Sequence, residues 1–242
     1  MNTTDQAAED RAMRHSARKL LVKLMCFAIV MLFAGLTSAY IVSSGSGYWV
    51  WLRLPQAFVY STVAIVLSSI VLQGAYMLTK RGKGKQAAGL TALTLALGLA
   101  FSYYQYQGFQ DLYARGNTLN GSGGVLNIKG TYGIDYSFSR KGVPLIAEKG
   151  NYYLETDAAR QTILNSEIEE QWNGSSSYLY MLTAVHLAHL ALGLIALLVM
   201  AVKGLMERYT TTEHIGHWSG TVYWHFLGGL WVFLFLFLTF VH

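Results

Sequence analysis

Three histidines stand in apolar surroundings that hold few other polar groups. Two lie in Tyr180-Met-Leu-Thr183-Ala-Val-His186-Leu-Ala-His189-Leu-Ala-Leu-Gly193, and the third in Tyr223-Trp224-His225-Phe226-Leu-Gly228-Gly229-Leu-Trp231. Helical spacing puts Thr183, His186, His189 and Gly193 within about a third of the helix circumference. At about 1.5 Å per residue, His189 sits some 20 Å from the outer end of its run, and His225 about 9 Å from the inner end of its own. In a hydrocarbon core of about 30 Å these depths nearly coincide, so the imidazoles would meet if the two helices were neighbours. Three chemistries compete for them. One is axial ligation of a b-type haem. Another is a transition-metal site, for which three histidines without a nearby carboxylate or thiolate are a thin ligand set. The third is hydrogen bonding between helices, worth about 1–2 kcal/mol per bond at most.

The elements that position these residues are membrane spans. Only 13% of the 242 residues are charged, and 53% are hydrophobic; soluble domains carry about 25% charged residues. Every Lys, Arg, Asp and Glu lies outside five apolar runs, near 24–44, 57–79, 87–109, 176–202 and 219–241. Runs of about 20 apolar residues cross a bilayer as helices, because backbone in lipid must satisfy its own hydrogen bonds. The fold class expected is therefore all-α integral membrane with five helices. The net charge of +5 does not point to nucleic acid, because the basic residues gather at span ends. Arg11, Arg14, Arg18, Lys19 and Lys23 precede the first run, and Lys80, Arg81, Lys83 and Lys85 follow the second. Such clusters mark the cytoplasmic side. This predicts a basic cytoplasmic segment over 1–23, a retained first helix rather than a signal peptide, and an outside C-terminus. In the first run, Gly35 and Ala39 form a small-xxx-small pair suited to close helix approach. Cys26 is the single cysteine, which excludes an intramolecular disulfide and any paired-cysteine metal motif.

Residues 45–55 read as a short loop with Trp49 and Trp51 as interfacial anchors. Residues 110–175 differ in kind, with eight of the thirteen acidic residues and six basic ones. The segment is too long for a bare connection, and reads as a small mixed α+β insertion on the outer, periplasmic side. Strands are expected at 125–128 and 134–138, with a hairpin formed by 143–147 and 152–155 around Lys149-Gly150-Asn151. Asp157 is expected to cap a helix reaching Trp172, with Glu167, Glu169 and Glu170 near its end. The domain plan is then 1–23, 24–109 with three helices, 110–175, and 176–242 with the last two. No span holds a carboxylate, which argues against an autonomous proton pump. No phosphate loop, nucleophile elbow or zinc-protease helix is present.

Thr183-Ala-Val-His186-Leu-Ala-His189 with Gly193 resembles the T-G-x-H-G-x-H-x-x-x-G signature of subunit III of haem-copper oxidases. Tyr223-Trp224-His225-Phe226 with Trp231 resembles that family's Y-W-H-F-V-D-x-V-W signature, and Phe101-x-x-x-Gln105-x-x-Gly108-Phe109 resembles F-x-x-x-Q-x-x-E-[YW]. The resemblance implies the short, five-helix form in a bacterial inner membrane. It implies a non-redox subunit of a cytochrome c oxidase, which reduces oxygen to water and pumps protons. Haems and copper would reside in subunits I and II, while this chain packs against subunit I, holds structural phospholipid and supports proton uptake. The resemblance also implies that the motif histidines are not metal ligands. A subunit I needs six span histidines and a subunit II paired cysteines, and this chain has three and none. Two departures stand out: Gly108 replaces the family Glu, and Gly228 replaces the family Asp. Gly228-Gly229 is expected to be a flat patch where a helix or lipid chain approaches. The insertion is expected to dock an electron-donating respiratory complex or a cytochrome c domain. The accessory subunit of a nitric oxide reductase and an independent haem-binding electron carrier are the other functions this sequence permits.

Overall fold

The computed structural model describes residues 3–119, 128–206, 209 and 215–241, with side chains at Glu9 and from Ala12 onward. Five helices are long and apolar enough to cross a membrane. They are α1 (Thr3–Ser46), α2 (Gln56–Lys80), α3 (Gly84–Ala114), α5 (Gly174–Leu205) and α6 (Ile215–Phe240). The shortest, α2, has 25 residues and is therefore about 37 Å long, more than a hydrocarbon core of about 30 Å needs. Helix α1 continues without a break into the basic N-terminal segment. Glu207, Glu213 and His214, which lie between α5 and α6 in the sequence, are outside the described residues.

By its internal contacts the chain forms two compact units. The first takes the chain up to Phe33, Thr62–Phe101 and Leu187–Trp231; the second takes Ala34–Ser61, Ser102–His186 and the chain from Val232 onward. The core of the first unit is built from Phe33, Ile65, Leu72, Leu190, Leu197, Trp224, Leu227 and Trp231, all buried. Within the second unit, Tyr40, Phe58, Leu179 and Leu182 are buried among the helices. Gly35 has open space where a Cβ would sit. Among the described residues, therefore, no helix makes the expected close approach at Gly35; the inward face of α1 is carried by Phe33, Thr37 and Tyr40.

The second unit also carries a four-stranded antiparallel sheet, in the order β1 (Tyr48–Leu52), β2 (Tyr136–Arg140), β3 (Val143–Glu148) and β4 (Asn151–Leu154). Its core joins Val50, Leu52, Ile128, Phe138, Leu145, Leu164 and Ile168. The hairpin expected around Lys149-Gly150 is present. A second hairpin turns at Lys141-Gly142. Both two-residue turns have positive φ at both positions, 51° and 80° in one, 52° and 84° in the other. That is the geometry whose twist matches the flanking strands, and glycine takes its second position without strain.

Three expectations need correction. The 45–55 segment is not a plain loop: its β-branched and aromatic residues form β1, which finds its partner in β2. The strand expected at 134–138 starts two residues later, because Ile134 and Asp135 close a turn onto the Thr131 carbonyl. The helix expected from Asp157 to Trp172 is only α4 (Asn165–Glu169). The Asp157 carboxylate instead accepts the Gln161 and Thr162 N–H groups at 3.0 Å each, which holds a turn rather than a helix start. Residues 125–127 of the other expected strand lie outside the described residues.

Candidate functional site: a hydrogen-bonded helix interface

Helix α6 carries the densest set of motif residues, and within the first unit α2 answers it in antiparallel register. The indole N–H of Trp231 donates to Thr62 Oγ1 at 2.9 Å, and that of Trp224 donates to Ser68 Oγ at 2.9 Å. His225 Nε2 and Gln73 Oε1 are 3.2 Å apart. Between these bonds Gly228 is buried, and a Cβ there would lie 3.1 Å from Ser69 Oγ and 3.6 Å from Ile65. The absence of a side chain at Gly228 lets the Ser69 and Ile65 side chains of α2 pack against the α6 backbone. Gly229, one residue on, is exposed and meets nothing within 4 Å. The flat patch is therefore divided, with Gly228 used inside the chain and Gly229 presented outward.

Trp224 is fully buried and sits at the centre of the unit. Its six-membered ring rests in two notches, at Gly98 of α3 and Gly193 of α5. A Cβ at Gly98 would be 2.7 Å from the ring, and one at Gly193 would be 3.2 Å from it. With Ser68 on α2, one indole fastens α6 to three other helices. Trp231 adds an edge-to-face contact with Phe101, the rings 5.2 Å apart.

The histidines take separate partners. The His189 ring lies 6.1 Å from the Phe33 ring of α1, while its backbone carbonyl accepts the Tyr223 hydroxyl at 3.1 Å. His225 turns instead to Gln73 of α2. The coincidence of depth thus does not bring these two imidazoles to a common point, because their rings face different helices. Among the described residues, no three or more His, Cys, Asp or Glu side chains are grouped to hold a metal ion. Phe226, half-buried, follows on α6.

In the second unit, Thr183 and His186 are fully buried on α5, and the Thr183 hydroxyl bonds back to the Leu179 carbonyl at 2.7 Å. Gln105 of α3 is fully buried and donates from Nε2 to Ser61 Oγ at 2.9 Å. At Gly108 a Cβ would lie 2.4 Å from the Phe58 ring. The space that a side chain at 108 would need is occupied by that ring. Trp49 is 3% exposed; its ring sits against Tyr40 of α1 at 4.9 Å and Tyr178 of α5 at 6.0 Å, so it packs on the ends of these helices. Trp51, half-buried, donates to Ser139 Oγ at 2.8 Å.

The α2 partners Thr62, Ser68 and Gln73 are absent from the motif reading. Their spacing of five and six residues along an apolar run was the available signal. It is weak, because Ser and Thr in spans commonly bond their own helix, as Ser68 does to the Ile65 carbonyl at 2.7 Å. His217 is a further buried polar group. It lies between the rings of Tyr76 and Tyr209, 5.9 and 5.5 Å away, with Thr91 and Thr221 hydroxyls at 3.4 and 3.3 Å. Burial raises the Tyr209 phenol above its ordinary pKa.

A profile of the family described as cytochrome c oxidase subunit III matches residues 154–241, which include all of α5 and α6. Over these residues the chain is similar to that family. Relatives named cytochrome c oxidase subunit 3 agree. The Myxine glutinosa protein is 32% identical over 72 residues, 30% of this chain and 28% of the relative. That of Chondrus crispus is 38% identical over 60 residues, 25% and 22% of the two chains. That of Spodoptera frugiperda is 30% identical over 60 residues, 25% of this chain and 41% of the relative. The chain thus spans less than half the length of each of these subunit III relatives. Gly108 and Gly228 are the two positions at which this sequence departs from the motifs it resembles, which carry carboxylates there. Phe58 and the Ser69–Ile65 surface now fill or close both places.

Proposed function

We propose that this chain is a multi-pass, non-redox subunit of a haem-copper cytochrome c oxidase, and that it stabilises the catalytic subunit. The observation that carries this reading is the neutral polar ladder between α2 and α6, at Thr62–Trp231, Ser68–Trp224 and Gln73–His225. It spends the family's signature residues on joining helices. Transmembrane hydrogen bonds of this kind average about 0.6 kcal/mol, so three of them with the Trp224 notches give a scaffold of a few kcal/mol. The redox centres then belong to subunits I and II. This chain's role in sustained proton uptake is indirect, through the rigidity of the partner it covers.

Structural phospholipid is assigned to the groove of about 510 Å³ between the α1 and α5 ends, walled by Leu36, Ala39, Trp49, Trp172, Tyr178 and Met181. The N-terminus is placed in the cytoplasm of a bacterial cell, and the C-terminus and sheet in the periplasm, following the basic residues at 11–23 and 80–85. The sheet is the candidate contact for an electron-donating complex or cytochrome c domain. Glu167 is taken up by Arg140 at 3.0 Å and Tyr48 at 2.7 Å, whereas Glu169 and Glu170 form no ion pair among the described residues. These two would meet a basic partner.

The deciding experiment is affinity purification of the tagged chain from its native membrane. Recovery of haem and copper in associated subunits, with oxygen uptake that declines faster when the chain is deleted, is the expected result. Recovery free of any haem-copper subunit, or a Soret band that stays with the isolated chain, refutes the reading. Association with a nitric oxide reductase core would replace it.

A further inference from the structure

The sheet has two faces, and one of them is unaccounted for. Val50, Leu52, Phe138 and Leu145 lie on the first and close over Leu164 and Ile168. Alternate residues along each strand belong to the second. The register puts Trp49 and Trp51 of β1 opposite Ser139 and Ser137 of β2, Pro144 of β3 opposite Ser139, and Ile146 of β3 opposite Tyr153 of β4. The Trp51–Ser139 hydrogen bond confirms that these side chains share a side.

The orientation of the second face follows from its first member. Trp49 is packed between Tyr40 of α1 and Tyr178 of α5, on helices that cross the membrane. The face bearing Trp49 therefore looks toward the ends of those helices, and so toward the bilayer surface from which they emerge. Further along the same face the described residues leave Pro144 and Ile146 open, and Trp51 and Tyr153 are half-buried. Its chemistry is aromatic and aliphatic with serine hydroxyls between, and its one carboxylate within the strands, Glu148, is bridged to Arg160. The outer edge of β4 is closed by Leu164 N–H on the Tyr152 carbonyl and by Tyr152 N–H on Asn165 Oδ1. The sheet thus offers side chains rather than unpaired backbone, which the edge of a bilayer would not tolerate.

We propose that this face, Trp51–Pro144–Ile146–Tyr153, rests on the phospholipid headgroup layer as a second, monotopic membrane contact. Trp and Tyr rings are favoured at that depth, where the ring is apolar and the polar atom stays wet. Ile146 enters the acyl boundary between them. The contact anchors the sheet beyond the helical bundle and fixes which side is left for a soluble partner, namely the side of α4. The proposal needs only the membrane assignment, so it stands or falls separately from the oxidase reading.

The test uses the full chain in its native complex, reconstituted in phosphatidylcholine–phosphatidylglycerol nanodiscs. In a Cys26→Ala background, single cysteines replace Pro144, Ile146, Tyr153 or, as control, Ile163, which adjoins Leu164 of the opposite face. Each carries an environment-sensitive fluorophore. Lipid-borne nitroxide is expected to quench labels at 144, 146 and 153 about threefold more than at 163, and aqueous iodide to show the reverse order. Iodide reaching 146 and 153 as readily as 163 overturns the proposal. So does protection of these positions from both quenchers, which would mean that another subunit covers them. Labelling three positions on one face keeps the outcome readable if one variant fails to assemble.

Discussion

Replacing Gly98 by alanine tests the central role given to Trp224. The new Cβ would stand 2.7 Å from Trp224 Cη2, 3.1 Å from Cζ2 and 2.7 Å from Leu194 Cδ2. Leu194 can rotate its methyl away, whereas the indole cannot. It is held on the far side by the Gly193 notch and tethered by a 2.9 Å bond to Ser68. Carbon atoms pack best at about 3.5–4.0 Å, so the ring must move by roughly 0.8 Å and drag its N–H toward the limit of bonding. Overpacking of this kind costs about 1–3 kcal/mol, and a weakened interhelical bond adds about 0.6 kcal/mol. The expected loss is about 2–4 kcal/mol, read as lowered resistance to denaturant in mixed micelles by tryptophan fluorescence and near-UV circular dichroism. In a Trp224→Phe background both offending carbons are gone, and the penalty of Gly98→Ala should fall below about 1 kcal/mol. An equal penalty in the two backgrounds, or none beyond about 0.5 kcal/mol in the parent, would refute the reasoning.

Three further outcomes are expected. Gly108→Glu should prevent recovery of the folded chain from membranes, because its Cβ would lie 2.4 Å from Phe58. Pairing it with Phe58→Ala should restore part of the yield, and good recovery of the single variant would contradict the packing described. Ser61→Ala removes the acceptor of the buried Gln105 amide and should cost about 1–3 kcal/mol; Ser61→Thr, which keeps a hydroxyl, should recover most of it in the same denaturation assay. Burial, with the Glu167 carboxylate beside it, pushes the Tyr48 phenol up to about 12, and burial with Tyr136 close by does the same at Tyr152. An unfolded tyrosine ionises near pH 10, so the unfolded chain loses these protons first. Their stabilising contribution is full below pH 10 and is lost as pH rises from about 10 to 12. Absorbance at 295 nm should show late-titrating tyrosines, one fewer in Tyr48→Phe; an unchanged titration in that variant would dismiss the assignment.

The five spans were legible because charge segregation and run length carry most of the information about crossing a bilayer. The hairpin at Lys149-Gly150 was legible for a local reason too, since a two-residue turn lies between two strand-like runs. What escaped was non-local. Tyr48-Trp-Val-Trp-Leu52 has strand composition, but its partner β2 lies far along the chain, and the same residues suit an interfacial loop equally well. Asp157 followed by a polar stretch has the composition of a helix cap, but its carboxylate accepts the N–H groups four and five residues on and so closes a loop instead. At the helix interface the donors Trp224, Trp231 and His225 stood out as motif residues. Their acceptors on α2 did not, because a hydroxyl that already bonds its own helix gives no sign of accepting a second bond. Residue counts fix the depth of a side chain along its helix but not its azimuth, and azimuth sends His189 to Phe33 and His225 to Gln73.

Strand β1 joins two membrane helices, yet its hydrogen-bonding partner Tyr136–Arg140 leaves the ribosome only after about 80 more residues have been made. At roughly 5–20 residues per second the wait is several seconds. During that interval Trp49, Val50 and Trp51 have no sheet to join, while α1 and α2 are already being threaded into lipid. Tyr40 is present from the start of the wait, whereas Tyr178 arrives last. The segment between the first two helices is thus a late-closing clasp, and its maturation is tied to the synthesis of α5 rather than to that of its own neighbours.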